Sequence, residues 1–105
     1  MLPLLVALIG SDAPPQARAA FCRAVLPLSD MARDSARAGL YRRVMAHYEG
    51  VWTDWRAQAS PADAAAVETA VAASDYRTAS RQTKNMYAQS CVEASGVKAQ
   101  AQIVE

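Results

Sequence analysis

The residues best suited to chemistry in this chain of 105 residues are two cysteines, Cys22 and Cys91, and a single histidine, His47. The cysteines form no Cys-x-x-Cys pair and have no histidine at zinc-ligand spacing, so no metal site is expected. An even cysteine count in a small chain instead predicts a disulfide in an oxidising compartment, where closing so long a loop stabilises a fold by roughly 4 kcal/mol. The alternative is two buried thiols in a cytosolic core.

His47 offers an imidazole for general acid–base catalysis, with Arg43 and Asp54 on the same side of a predicted helix. Catalysis also requires a nucleophile or a substrate pocket, and the sequence locates neither. No Gly-x-Ser-x-Gly elbow or Gly-rich phosphate loop occurs, and the carboxylates are scattered singly. We therefore expect no catalytic residue, no cofactor and a non-enzymatic function.

An aromatic stripe and a group of arginines are the features that could bind a partner. Tyr48, Trp52 and Trp55 recur at helical spacing, which is typical of a core face. The alternative is that Trp55, beside Arg56, is partly exposed and anchors a partner, because Trp, Tyr and Arg dominate interface hot spots. A basic patch surrounds Gly39, and it is either a solvated face or an anion or partner site: Arg33, Arg37, Arg42 and Arg43. The candidate partner-binding residues are Arg42, Arg43, Trp55 and Arg56.

Length and composition limit the elements that position these residues. The charge is nearly balanced, with 11 Lys and Arg against 10 Asp and Glu, so a nucleic-acid partner is not expected. Alanine is the commonest residue and aromatic residues are few, which favours helices packed through small side chains over a β-sheet. The length allows one domain with a core that stabilises it only modestly.

The first part of the domain has a helical pattern with an interruption. Pro27 is expected to kink or split the helix, Ser29 is available to cap its second half, and Gly39 is expected to end it or allow a bend. The residues predicted to share its inward face are Phe21, Val25, Leu28, Ala32, Ser35, Ala36 and Gly39.

The second part of the chain predicts further helices. Segment 40–56 is clearly amphipathic, and its apolar positions are Leu40, Tyr41, Val44, Met45, Tyr48, Val51, Trp52 and Trp55. Ser60 and Pro61 are typical of a helix start, and an Ala-rich run continues to Ala73. A last helix over 77–95 is closed by Gly96. Its predicted inward residues are Ala79, Thr83, Met86, Tyr87, Ser90, Cys91 and Ala94. The fold class is thus all-α: a compact bundle of three to four short helices, with the first and last linked by Cys22 and Cys91.

The N-terminal segment predicts export. Residues 2–9 form an apolar run that is too short to span a bilayer but has the length of a signal-peptide core, and small residues at 17 and 19 suit cleavage after Ala19. Met1 is followed by no Lys or Arg, so either the start lies upstream or the signal is atypical. The alternative is the first strand or helix of a cytosolic core. We expect a signal-like segment at 1–19, a helical domain at 20–96, a frayed tail at 97–105 and a periplasmic or secreted protein.

Short motifs occur in a recognisable order: Cys22, Met-Ala-Arg-Asp-Ser at 31–35, Val-Ala-Ala at 71–73, Tyr76, Tyr87 and Cys91. Over 22–94 the chain resembles small exported two-cysteine proteins of Gram-negative bacteria and their prophages. It departs from them where a Gly commonly follows the Ala-Arg-Asp-Ser stretch and where a Pro follows the later aromatic residue. The resemblance implies a periplasmic helical domain whose disulfide joins the first and last helices, and it implies no activity.

These observations leave three classes of function open. The leading hypothesis is a periplasmic interaction module that binds another protein, of which an immunity or inhibitor protein is one concrete form. The second is a structural accessory subunit of an envelope or phage-related assembly. The third is a small enzyme. The sequence does not decide the oligomeric state.

Overall fold

Four α-helices account for most of the chain in a computed structural model that describes residues 13–98. They are α1 (Pro15–Val25), α2 (Ala38–Gln58), α3 (Pro61–Ala73) and α4 (Arg81–Ser95). This part of the chain contains no strand, and the predicted all-α class is confirmed. None of the helices within 13–98 combines the length and apolarity that a membrane crossing requires. The predicted apolar segment 2–9 and residues 99–105 of the predicted tail lie outside the described residues.

Helix α1 lies at the centre of the bundle, where it packs against each of the other three helices. Pro15 occupies its first position, which suits a residue without an N–H. Phe21, Cys22 and Val25 are fully buried, and Ala19 is also 0% exposed. The predicted signal-peptidase site after Ala19 therefore falls inside α1, and cleavage there would leave residues 20–25 to form the helix. Cleavage stays a prediction.

Residues 26–37 form three 3₁₀ turns where the sequence predicted a kinked or split helix: Leu26–Leu28, Asp30–Arg33 and Ser35–Arg37. Pro27 does end the α-helical hydrogen bonding, and Ser29 occupies the N-cap position of the second turn. Its side chain does not cap that turn, because the buried hydroxyl donates to the carbonyl of Leu26 at 2.7 Å. Since the turns change the helical phase, Leu28 is 40% exposed and does not lie on the inward face. Gly39 neither ends nor bends a helix but lies in the first turn of α2.

Helix α2 confirms the amphipathic pattern of 40–56 and extends it by two residues at each end. Val44, Tyr48 and Trp52 are buried at four-residue steps against α1. Helix α3 begins as predicted: the Ser60 hydroxyl accepts a hydrogen bond from the Asp63 amide at 3.0 Å, and Pro61 occupies the first position. Its outward side consists largely of exposed alanines.

Helix α4 starts four residues later than predicted and is rotated relative to the predicted face. Residues 75–78 form a turn, and Ser80 caps the helix by accepting from the amide of Thr83 at 3.1 Å. Ala88 and Cys91 are its buried residues, whereas Met86 is 59% exposed. Ser90 and Ala94 are exposed as well, so three of the seven predicted inward residues point to solvent. The predicted end at Gly96 is confirmed, with φ at +73°, a conformation that favours glycine.

The predicted disulfide joins Cys22 of α1 to Cys91 of α4, with the two Cα atoms 5.8 Å apart. Both cysteines are buried, and Phe21 beside them contacts the rings of Tyr76 and Tyr87 edge-on at 5.8 and 5.5 Å. The first and last helices are thus joined covalently within the apolar core. Val97, the first residue of the predicted tail, still packs against this core.

Candidate functional site

The four predicted partner-binding residues do not form one surface. Arg42 and Arg43 lie near the start of α2 and Trp55 and Arg56 near its end. Twelve to fourteen residues of α-helix separate the pairs by about 20 Å along the axis. Arg42 is exposed, whereas an Nη of Arg43 donates to the main-chain carbonyl of Lys98.

Two of the four arginines in the predicted basic patch around Gly39 form ion pairs with carboxylates. Arg33 lies 3.4 Å from a carboxylate oxygen of Asp30, and Arg37 lies 2.8 Å from one of Asp34. The Arg37 hydrogen bond and the Ala36 amide hold the pKa of Asp34 below its usual value. Both pairs link residues three apart within the 3₁₀ turns, so they favour the interpretation of a solvated face.

The aromatic stripe divides between core and surface. Tyr48 and Trp52 are buried, as expected for a core face, and Trp55 is partly buried with its ring 5.4 Å from that of Trp52. Because Trp55 also packs against the core, only part of its ring is accessible to a partner.

The groups considered for catalysis are not assembled into a site. His47 is exposed and contacts the Tyr48 ring edge-on at 4.9 Å, while Asp54 lies about 10 Å further along the helix axis. One Ser-x-x-Lys sequence runs from Ser95 to Lys98, but the Ser95 hydroxyl donates to the Val92 carbonyl at 2.6 Å at the end of α4. Over residues 13–98, no three His, Cys, Asp or Glu side chains are grouped as metal ligands.

A cleft between α1, α2, α3 and the turn before α4 combines two buried aromatic side chains with two arginines. We call it the Trp52–Tyr76 cleft; its recess measures about 120 Å³. Buried Trp52 and Tyr76 contribute to its lining, and alanines on α1 allow α3 to approach α1 closely. It is lined by Ala20, Arg23, Ala24, Trp52, Glu68, Val71, Ala72, Tyr76 and Arg77.

Two arginines of this cleft each lie beside an aromatic ring. The guanidinium of Arg23 is 5.8 Å from the centroid of Trp52, and that of Arg77 is 5.5 Å from the centroid of Tyr76. These distances are within the range of cation–π attraction. The Nε of Arg23 also donates to Glu49 at 3.0 Å, and the Nε of Arg77 to the Tyr76 hydroxyl at 3.2 Å. Both guanidinium groups are therefore held at the Nε end.

Arg56 is the predicted partner-binding residue that lies near the cleft. Its guanidinium is 3.8 Å from the carboxylate of Glu68, and it lines a neighbouring depression with Arg23 and Trp52. Sequence reasoning missed Arg23, Tyr76 and Arg77 because Arg23 lies on α1, far in sequence from the turn that carries Tyr76 and Arg77. The one sequence signal for the cleft was the neighbouring pair Tyr76 and Arg77, an aromatic and a basic residue between two helices.

A polar cluster on another side of the molecule has a structural role. The Asp30 carboxylate accepts hydrogen bonds from Asn85 at 3.0 Å and from Arg81 at 2.8 Å, and the Asp30 amide donates to the Asn85 side chain at 2.9 Å. The Asn85 hydrogen bond and then the Arg81 hydrogen bond hold the pKa of Asp30 below its usual value. The cluster attaches the second 3₁₀ turn to α4.

Comparisons of this chain with known protein families, curated proteins and solved structures gave no match. The interpretation of its function therefore depends on the residues of the Trp52–Tyr76 cleft.

Proposed function

We propose that the chain is a non-enzymatic, periplasmic protein-interaction module that binds another protein at the Trp52–Tyr76 cleft. The proposal rests mainly on one observation: two arginines are held beside a Trp and a Tyr around a small recess. Trp, Tyr and Arg are the residues most enriched in interface hot spots, which cluster in well-packed pockets.

The disulfide supports the periplasmic part of the proposal. Structural disulfides persist in oxidising compartments and are rare in the cytosol, and the bridge between Cys22 and Cys91 is buried in the core. The signal-like segment at 2–9 agrees with this compartment.

The fold also suits an immunity or inhibitor protein. The disulfide ties α1 to α4, and α1 carries Arg23 and part of the recess. The part of the recess that lies on packed helices loses less conformational entropy on binding than a flexible loop would. His47 lies about 140° around α2 from Trp52, so the imidazole does not face the cleft.

A photo-crosslinking amino acid in place of Ala72, in the cleft, tests protein binding in the periplasm of the native host. The matched control is the same amino acid in place of Ala46, an exposed residue of α2 that does not line the cleft. We expect a discrete crosslinked protein from position 72 and none from position 46. The absence of a crosslinked protein, or the same set from both positions, would contradict the proposal.

The intact mass of chain recovered from the periplasmic fraction tests the compartment. We expect the mass of the oxidised form, beginning at Ala20. A full-length chain found only in the cytosol with two free thiols would contradict the periplasmic assignment.

The alternative function is a structural accessory subunit of an envelope or phage-related assembly. The exposed side of α3 favours it, because it carries several alanines beside Asp63 and Glu68. Met86 and Leu28 are exposed apolar residues elsewhere. Sedimentation at micromolar concentration separates the two functions. A module remains a soluble monomer or dimer, whereas a subunit without its assembly aggregates through its apolar surface.

A further inference from the structure

We infer that the partner presents a carboxylate next to an aliphatic side chain, and that Arg23 and Arg77 bind the carboxylate while the recess takes the aliphatic group. The inference rests on the proposed function and specifies the chemistry of the partner. It is carried by the orientation of the two guanidinium groups, the charge around the cleft and the size of the recess.

The orientation of the guanidinium groups suits an acceptor with two oxygens. Each of the two arginines uses its Nε in a hydrogen bond within the protein. In the described part of the chain, the Nη atoms of Arg23 and Arg77 make no hydrogen bond with another residue. The unused Nη pair of a guanidinium matches the two oxygens of a carboxylate. The ring contacts and Nε hydrogen bonds already restrict both arginine side chains. The two side chains therefore lose little further rotamer entropy when a partner binds.

The charge around the cleft favours an anion over a cation. Arg23, Arg56 and Arg77 face two carboxylates, those of Glu49 and Glu68, which leaves one net positive charge. Both carboxylates lie within ion-pair distance of an arginine, Glu49 of Arg23 and Glu68 of Arg56. A carboxylate from the partner would therefore neutralise the remaining charge, whereas a lysine would add a second positive charge.

The recess limits the apolar part of the partner to one side chain. Its volume of about 120 Å³ is well below the 300–1,000 Å³ that is typical of small-molecule sites. The lining includes the nearly buried Trp52, Val71 and Ala20. An aliphatic side chain there gains apolar contact, and its neighbouring carboxylate lies beside the two arginines that line the recess.

An NMR titration of the oxidised full chain with a capped peptide, acetyl-Glu-Leu-Glu-Leu-amide, tests the inference. The control peptide replaces each Glu by Gln, so it keeps the aliphatic groups and removes the carboxylates. We expect saturable shifts of the Trp52 indole N–H and of amides in 71–77 with the acidic peptide alone. We expect Arg77→Ala to weaken this binding at least five-fold. Lys84→Ala removes a positive charge that does not line the cleft, and it should leave the binding unchanged.

The failures of the inference and of the proposed function are distinguishable. Equal shifts with both peptides, no saturable shift, or equal weakening by Lys84→Ala would overturn the carboxylate inference. Arg77→Gln provides a second variant with an uncharged side chain, and the thermal midpoint of each variant verifies folding. If a protein crosslinked at position 72 binds the wild type and Arg77→Ala with equal affinity, the carboxylate inference is wrong. The proposed function as a protein-interaction module is then still supported. If position 72 captures no protein, the proposed function fails whatever the peptides do.

Discussion

The Tyr48 hydroxyl donates a hydrogen bond to the main-chain carbonyl of Cys91, the residue whose sulfur is bonded to Cys22. Helices α1 and α2 thus both hold α4 at one residue, through a covalent bond and a buried hydrogen bond. This double attachment explains why α4 is rotated to bury Cys91 and Ala88 while Met86 is exposed.

Replacing Tyr48 by Phe removes the hydrogen bond and keeps the buried ring. We expect Tyr48→Phe to lower the free energy of unfolding by about 1 kcal/mol, the usual net contribution of a buried hydrogen bond. Urea unfolding of the oxidised protein measures this change. Tyr41→Phe on the same helix is the matched control and is expected to have a smaller effect, because Tyr41 is only partly buried. Equal effects of the two variants would contradict the assigned role.

The Tyr48 hydroxyl should also make the free energy of unfolding decrease at high pH. Burial raises the pKa of Tyr48 to about 12, above the value near 10 expected in the unfolded chain. The folded state therefore retains the proton when the unfolded state releases it. The stabilisation is fully present below pH 10 and is lost as the pH rises toward 12, by about 1 kcal/mol at pH 11. Urea midpoints from pH 9 to pH 11 should fall more steeply for wild type than for Tyr48→Phe, and parallel curves would refute the prediction.

The cluster around Asp30 predicts a second pH dependence, of opposite sign. Because the Asn85 and Arg81 hydrogen bonds lower the pKa of Asp30, its contribution to stability is present above the usual value of 3.8 and is lost as the pH falls through the folded-state pKa. We expect Asn85→Ala to raise the pKa of the Asp30 carboxyl, measured by its ¹³C chemical shift. Gln89→Ala, on an exposed part of α4, should leave that pKa unchanged. An unaltered Asp30 titration in Asn85→Ala would show that the cluster is not formed in solution.

We expect the disulfide to contribute strongly to the free energy of unfolding and to be reduced slowly in the folded protein. Its loop spans 69 residues, for which the chain-entropy model gives about 4 kcal/mol of stabilisation. The double variant Cys22→Ala with Cys91→Ala should lose about this amount in urea unfolding. Because both cysteines are buried, dithiothreitol should reduce the native bridge far more slowly than the bridge in urea. Equally fast reduction in both conditions would mean that the bridge is accessible in the folded protein.

Several features could be predicted from the sequence because their causes are local. The apolar spacing of 40–56 defines α2, Ser60 and Pro61 start α3, and Gly96 supplies the left-handed conformation that ends α4. The disulfide followed from a cysteine count of two in a small chain. Helix propensity, capping and cysteine pairing each depend on few residues, so no knowledge of the packing was needed.

Other features were decided only by the tertiary structure. The 3₁₀ turns after Pro27 changed the helical phase, so that Leu28 turned outward, and the fixed position of Cys91 rotated α4 away from its predicted face. The Trp52–Tyr76 cleft combines Arg23, Trp52 and Arg77 from three different elements. Periodicity describes each helix about its own axis, but the rotation of one helix against another depends on packing between residues far apart in the sequence. For that reason the elements could be predicted from the sequence alone, while the cleft they form could not.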